Sequence, residues 1–300
     1  MSYAADLLNA FLWTFNFLIL PGLTYGSALA LGALGVTLVF GILRFANFAH
    51  GDTMAFGAMI ALIGAELINR FGIFTYPIPA GLLFLPVAMI ATVLLVISLD
   101  KVVYSYYRRI KSPPVVMVMT SIGVMFLLNG VTRLIKGAEL TMFNARRIFD
   151  IDAVDVAALT DRLGQRAVRL RTDFATGEEQ VHVIEPEFVF FGVRQFKEVT
   201  GLSEGFGLDL IQVVIVGLAI AIFAGLYWFL MRTRTGKAMR AYSDNEDLAL
   251  LSGIDPQRVV LITWIIAGSL AAVAGTMWGL DKGYKPFAYF QMLLPIFAAT

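Results

Sequence analysis

The sequence lacks the residues on which many catalytic and metal sites depend. Cysteine is absent, and only two histidines, His50 and His182, occur among 300 residues. Disulfide scaffolds, zinc–thiolate sites and thiol nucleophiles are therefore excluded within this chain. No nucleophile–base pair, metal-ligand spacing or phosphate-binding glycine loop can be identified either. We expect no catalytic residue, no metal and no cofactor.

Charge is also scarce. Acidic and basic residues make up 15% of the chain and hydrophobic residues 58%, whereas soluble domains contain roughly 25% charged residues. The net charge of +1 gives no indication of a nucleic-acid partner, and the N-terminus lacks the basic start of a cleavable signal peptide. The composition predicts an all-α, polytopic transmembrane helical bundle surrounded by membrane lipid.

Uncharged runs give the predicted helices. We expect the first run to be divided by Pro21-Gly22 into a short helix and a full span over 23–43. The last run ends without a cap, so we expect further C-terminal helices to be missing. The runs without an acidic or basic residue are 7–43, 53–65, 71–99, 112–132, 210–231, 259–280 and 286–300.

Basic residues in the connections predict the orientation. The 100–112 and 232–258 connections are rich in Lys and Arg, which places both in the cytoplasm. By alternation, the segment 137–207 becomes an external insert. The predicted organisation is therefore membrane helices over 1–136, the insert, and membrane helices over 208–300.

The insert differs in composition from the rest of the chain. It holds 20 of the 45 charged residues. Within it, polar and apolar residues alternate over 166–172 and 179–185 around Thr176-Gly177, which predicts a β-hairpin. The insert is interpreted either as a small solvated cap or as a docking surface for an external partner.

Polar residues interrupt the apolar pattern near 45–52. Asn47, His50 and Asp52 lie between two apolar runs, and we expect Gly51 to allow a sharp turn. A discontinuous helix of this kind can present its ends to a transported solute. The alternative is an interfacial loop in which Asp52 caps the next helix.

A second polar stretch follows Arg232. Ser243 and Glu246 have the spacing of a capping box, and Gly253 and Pro256 indicate where the short helix ends. Such a helix can dock into a partner's groove or pack on its own membrane domain. Small residues at helical spacing, at 22 and 26 and along 267–279, predict close helix packing within the subunit or between subunits.

These two polar stretches carry a family resemblance. The stretch Phe45-Ala-Asn-Phe-Ala-His-Gly-Asp52 resembles the Asn-Phe-Ala-His-Gly signature of permeases from branched-chain amino acid ABC importers, in particular the H-type permeases of high-affinity leucine–isoleucine–valine systems. Residues 236–254 are similar to the cytoplasmic loop of that family. The resemblance covers about 20–135 and 208–300, and the family continues past the position where this sequence stops.

The resemblance implies a permease subunit of a bacterial inner-membrane importer. Its partners would be a second permease subunit, two cytoplasmic ATP-binding subunits and a periplasmic solute-binding protein. The implied substrate pathway includes Asn47, His50 and Gly51. The residues implied in ATPase coupling are Gly236, Arg240, Ala241, Asp244 and Gly253.

Other functions stay open at this point. The long insert allows a urea or amide importer. An ion-coupled secondary transporter would need buried ionisable residues in mid-span, and the predicted spans contain none apart from Glu66 near an end. A membrane-embedded hydrolase would need a nucleophile–base pair.

Overall fold

Twelve α-helices are found in the part of the chain that the structure, a computed structural model, describes: residues 3–71, 79–141, 143, 147–150, 168–172, 179–183, 189–191 and 208–300. In the first half they are α1 Tyr3–Thr14, α2 Leu20–Leu43, α3 His50–Arg70, α4 Ala80–Leu83, α5 Leu85–Leu99, α6 Ser105–Arg109 and α7 Pro114–Lys136. In the second half they are α8 Leu210–Arg232, α9 Arg234–Asp244, α10 Glu246–Leu251, α11 Pro256–Lys282 and α12 Pro286–Ala298.

Six helical segments in these ranges are long and apolar enough to cross a membrane, which confirms the predicted polytopic helical bundle. Ranges that join two helices include the turn between them. The six are Asp6–Leu43, His50–Ile68, Leu85–Arg109, Pro114–Lys136, Ile211–Arg232 and Pro256–Lys282.

Two π-helical turns lengthen these segments beyond the predicted bounds. The turn Phe15–Ile19 joins α1 to α2, so the expected break at Pro21-Gly22 is wrong. Pro21 has no backbone N–H and cannot donate a hydrogen bond to a carbonyl one turn back. Because it follows directly after the wider π turn, at the start of α2, the missing N–H disrupts the helix less. The turn Asp100–Tyr104 likewise joins α5 to α6, so most of the expected 100–112 loop is helical.

Helix α11 is the centre of the bundle and packs against α2, α3 and α5. Its small residues make this packing close. A methyl group on Gly268 would lie 2.8 Å from Val96 of α5, and one on Gly275 would overlap the backbone of Met54 in α3. The small residues of α11 therefore pack inside the subunit. By contrast, a methyl group on Gly22 or Gly26 would meet no described atom within 4 Å.

The insert and the two residues that follow it contain short strands. Strands β2 Val168–Thr172 and β3 Glu179–Val183 pair antiparallel with Thr172 opposite Glu179, the pairing that the predicted hairpin requires. Strand β1 Arg147–Asp150 pairs with the other edge of β3. Strands β4 Val189–Phe191 and β5 Leu208–Asp209 form a separate antiparallel pair. The turn at Thr176-Gly177 and most of the insert lie outside the described residues.

Candidate functional site

The predicted break lies between α2 and α3. Helix α2 ends at Leu43, residues 44–49 are not helical, and α3 begins at His50. The fold thus has the discontinuity expected near 45–52. Gly51 is already part of α3, so it does not form the sharp turn expected for it. Its role is close packing: a methyl group there would lie 2.7 Å from the carbonyl oxygen of Tyr289 in α12.

Residues 44–49 lead back into the bundle. The imidazole of His50 lies against Gly32 and Gly35 of α2, where a methyl group on Gly35 would be 2.6 Å from its Cε1 atom. Gly35 precedes the end of α2 by eight residues, a rise of about 12 Å along the helix. Because His50 is buried at this level, α3 begins in the interior of the bundle. The interpretation as an interfacial loop is therefore wrong.

Asn47 organises the non-helical backbone. Its Oδ1 atom accepts a hydrogen bond from the amide of Ala49 at 3.2 Å and another from the hydroxyl of Tyr104 at 3.4 Å. The amide of Phe48 donates to Oγ of Ser121 in α7 at 3.1 Å. Non-helical backbone at membrane depth requires such partners because lipid offers none. These bonds therefore make the break stable.

Asp52 is fully buried and does not cap α3. Its Oδ1 atom accepts a hydrogen bond of 2.7 Å from Nδ2 of Asn129 in α7. Its Oδ2 atom and Nε2 of His50 have no hydrogen-bond partner among the described residues. The described interior of the bundle thus contains the ionisable side chains of His50 and Asp52, contrary to the expectation that only Glu66 interrupts the spans. Glu66 itself forms an ion pair with Lys136.

Helices α9 and α10 form a second candidate site beneath the end of α2. One face is buried: Met239 and Tyr242 of α9 and Ala249 of α10 pack with Ile42 and Val259. These helices therefore pack on their own membrane domain along this face. The opposite face is exposed in the part of the chain that the structure describes, so a partner subunit can reach it.

The predicted coupling residues lie mostly on the free face. Arg240, Ala241 and Asp244 are exposed, whereas Gly236 is buried and its amide donates to Thr233 at the start of α9. A side chain on Gly236 would overlap the backbone of the preceding helix α8. Gly253 has φ of +79° just after α10 and ends that helix as expected.

The expected capping box is wrong. Asn245, not Ser243, caps α10, because its side chain accepts a hydrogen bond from the amide of Leu248 at 3.1 Å. Glu246 accepts from the hydroxyl of Tyr242 at 2.7 Å. Burial, and then this bond to the Glu246 carboxylate, raise the pKa of Tyr242 well above its ordinary value. Tyr242 is therefore a stable neutral donor.

A groove of about 770 Å³ adjoins α9 and α10. In its wall, Asp100 accepts two hydrogen bonds from Arg108, at 2.6 and 2.9 Å, and one from the indole of Trp264 at 2.7 Å. Asp100 therefore links the π turn after α5 to α11. The carboxylates of Asp100 and Glu246 are both bonded within the subunit.

Comparison with known proteins identifies the family. Residues 18–300 match the family described as "Branched-chain amino acid transport system / permease component". The chain belongs to this family. It is therefore a multi-pass permease of the inner membrane, a component of a transport system with other subunits, and not an enzyme.

Several curated permeases are similar over most of their length. The permease BraD of Pseudomonas aeruginosa is 27% identical over 262 residues, which are 87% of this chain and 70% of the relative. LivH of Escherichia coli K12 is 25% identical over 286 residues, 93% of this chain and 75% of the relative. A probable LivH of Methanocaldococcus jannaschii is 26% identical, covering 94% and 72%. No solved structure matches.

The sequence of the permease does not indicate which side chains form hydrogen bonds with the break and with Asp52. Tyr104 and Ser121 bond the break, Asn129 bonds Asp52, and Trp264 stacks on Tyr104 with ring centroids 5.4 Å apart. Three of these four residues lie in apolar runs of helices α7 and α11. A polar residue within an apolar run is the available signal, but it does not name the partner.

Proposed function

We propose that this permease subunit forms part of the translocation pathway of an ABC importer for branched-chain amino acids or related small polar solutes. The proposed partners are a second permease subunit, two cytoplasmic ATP-binding subunits and a periplasmic solute-binding protein. The substrate class is supported by the names of the relatives, which are branched-chain amino acid transport permeases.

The observation that carries the proposal is that α9 and α10 have one buried face and one exposed polar face. A buried face holds these helices on the bundle, while Arg240, Ala241 and Asp244 are exposed on the other side. A short helix with an exposed polar face suits the surface of a partner subunit. The proposal assigns that face to an ATPase, with Gly236 and Gly253 setting the bounds of the unit.

The orientation belongs to the same proposal. The basic connections support a cytoplasmic position for α9 and α10, on the side where an ATPase binds its nucleotide. The insert 137–207 then faces the periplasm, where a solute-binding protein delivers its ligand. Membrane helices 1–136 and 208–300 form the body between these two surfaces.

The proposed pathway residues are Asn47, His50 and Gly51. They lie at a break of the helices, and the free Nε2 atom of His50 could exchange a hydrogen bond with a polar solute when the bundle opens. ATP binding would draw α9 and α10 inward and shift the break between two arrangements. Such a switch needs a differential affinity of the ATPases for one arrangement.

The test is solute uptake by the complete complex. The subunit is copurified from native membranes, its partners are identified, and the complex is reconstituted in liposomes. We expect uptake that requires ATP and ATPase activity that increases when loaded binding protein is added. Uptake by the single chain under an ion gradient, without ATP, would instead establish a secondary transporter.

The coupling surface is tested separately with Arg240→Ala and Asp244→Ala. Both side chains are exposed, so each variant should fold and insert normally. We expect ATPase stimulation and uptake to fall together as the contact weakens. The matched control is Arg258→Ala, an exposed arginine at the start of α11. Normal uptake by the combined Arg240/Asp244 variant would exclude this surface.

A further inference from the structure

The ends of α2 and α9 cap each other. The hydroxyl of Ser243 donates to the carbonyl oxygen of Gly41 at 2.8 Å, and Nη2 of Arg44 donates to the carbonyl oxygen of Ser243 at 3.1 Å. Both carbonyls belong to the last turn of their helix, where no later amide of the same helix is available. We call Gly41, Arg44 and Ser243 the latch.

The backbone conformation at position 44 favours glycine, so the arginine found there indicates a role for its side chain. Arg44 has φ of 55° and ψ of 31°, a left-handed conformation that glycine adopts with less strain. Its guanidinium supplies the charged donor to Ser243, which glycine lacks. The strained conformation also turns the chain at the end of α2 into the segment that contains Asn47.

The latch lies between the two candidate sites. On one side, Ser243 is next to the exposed Asp244 of α9. On the other, Arg44 is covalently continuous with Phe45 and Asn47, which are buried in the break. Ile42 of α2 also packs against Met239 and Tyr242 of α9, but apolar packing is not directional and allows sliding. The two hydrogen bonds fix the register between these helices.

We propose that the latch transmits the movement of α9 and α10 to the start of α3. Arg44 and Ser243 are then positioning residues for transport: the latch stays closed while the two ends move as one body. This inference rests on the proposed function, because it takes α9 and α10 as the surface on which the ATPases act.

The first test breaks the latch. Arg44→Gly removes the guanidinium and suits the left-handed backbone, and Ser243→Ala removes the hydroxyl. The reconstituted complex is assayed for basal ATPase activity, stimulation by loaded binding protein and uptake per ATP hydrolysed. We expect uptake per ATP to fall about tenfold, as for loss of a hydrogen bond to a charged group, with basal ATPase activity unchanged.

Two matched controls share the chemistry of the changes. Lys111→Gly removes another cation at a positive φ, 50°, and Ser269→Ala removes a hydroxyl that donates to Ile265 of its own helix, α11. Both should stay within about twofold of the unchanged complex. Latch variants that transport like the controls would overturn the inference.

The second test rebuilds the latch covalently. The chain has no cysteine, and a methyl group on Gly41 would lie 3.6 Å from Oγ of Ser243. Gly41→Cys with Ser243→Cys should therefore form a disulfide, detected as loss of maleimide labelling. In the Arg44→Gly background, the disulfide should restore uptake per ATP, and reduction should remove it again.

Three results of the second test would contradict the latch: no disulfide, a disulfide without rescue, or inhibition by the disulfide when Arg44 is present. Inhibition would mean that the contact has to open during transport. Failure of the proposed function is distinct, because the unchanged complex would then fail to import solute with ATP.

Discussion

The hydrogen bond between Asn129 and Asp52 supports a sharp test of the bundle interior. Asn129→Leu keeps the approximate size of the side chain and removes the 2.7 Å bond. Oδ2 of Asp52 already has no described partner, so both oxygens of a fully buried carboxyl group would then be unbonded. We expect a loss of about 2–4 kcal/mol in the free energy of unfolding.

The assay is thermal unfolding of the purified subunit or complex in detergent. A loss of this size should lower the melting temperature by about 5–10 °C. The matched control is Thr120→Leu, which also places leucine on α7, where the hydroxyl bonds only Val116 of its own helix. That variant should unfold near the unchanged protein.

A double variant separates the bond from general damage. When Asp52 and Asn129 are both replaced by leucine, neither partner is left unsatisfied. We therefore expect the double variant to be more stable than the sum of the two single effects predicts, by about 1 kcal/mol or more. If Asn129→Leu unfolds like Thr120→Leu, or the single effects simply add, the hydrogen bond gives no net stability and the reasoning is refuted.

Further predictions concern the break and the helix packing. Asn47→Ala and His50→Ala should lower ATP-driven uptake while the subunits still copurify; unchanged uptake by both would exclude these residues from the pathway. Gly275→Ala should greatly reduce the yield of folded protein, since the new methyl group overlaps the backbone of Met54. Gly26→Ala, which faces open space, should be neutral or slightly stabilising in thermal unfolding.

The spans could be predicted because hydropathy reports directly on lipid as solvent. The uncharged run 112–132 corresponds to α7, Pro114–Lys136, and 259–280 corresponds to α11, Pro256–Lys282. The helices extend past the runs because long basic side chains at their ends can reach the polar interface. The break predicted at Pro21 is wrong because a π turn just before a proline cannot be recognised from hydropathy.

The partners within the sites could not be predicted, since they are set by packing between distant segments. Asp52 and Asn129 are 77 residues apart, and Ser243 and Gly41 are 202 residues apart. The local pattern at Ser243 and Glu246 fits a capping box, but the end of α2 offers Ser243 an acceptor that the short helix lacks. The tertiary hydrogen bond from Ser243 to Gly41 therefore replaces the local capping bond that the sequence pattern predicts.

The hydrogen bonds of the break constrain how the bundle can move. Phe48 and Asp52 are bonded to Ser121 and Asn129, which both belong to α7. Sliding the start of α3 along α7 would break both bonds in a medium without replacement partners, at a cost of about 2–4 kcal/mol. The lower-energy movement carries α7 with the break. A switch driven from α9 should therefore displace α7 and the start of α3 together, leaving these two bonds intact.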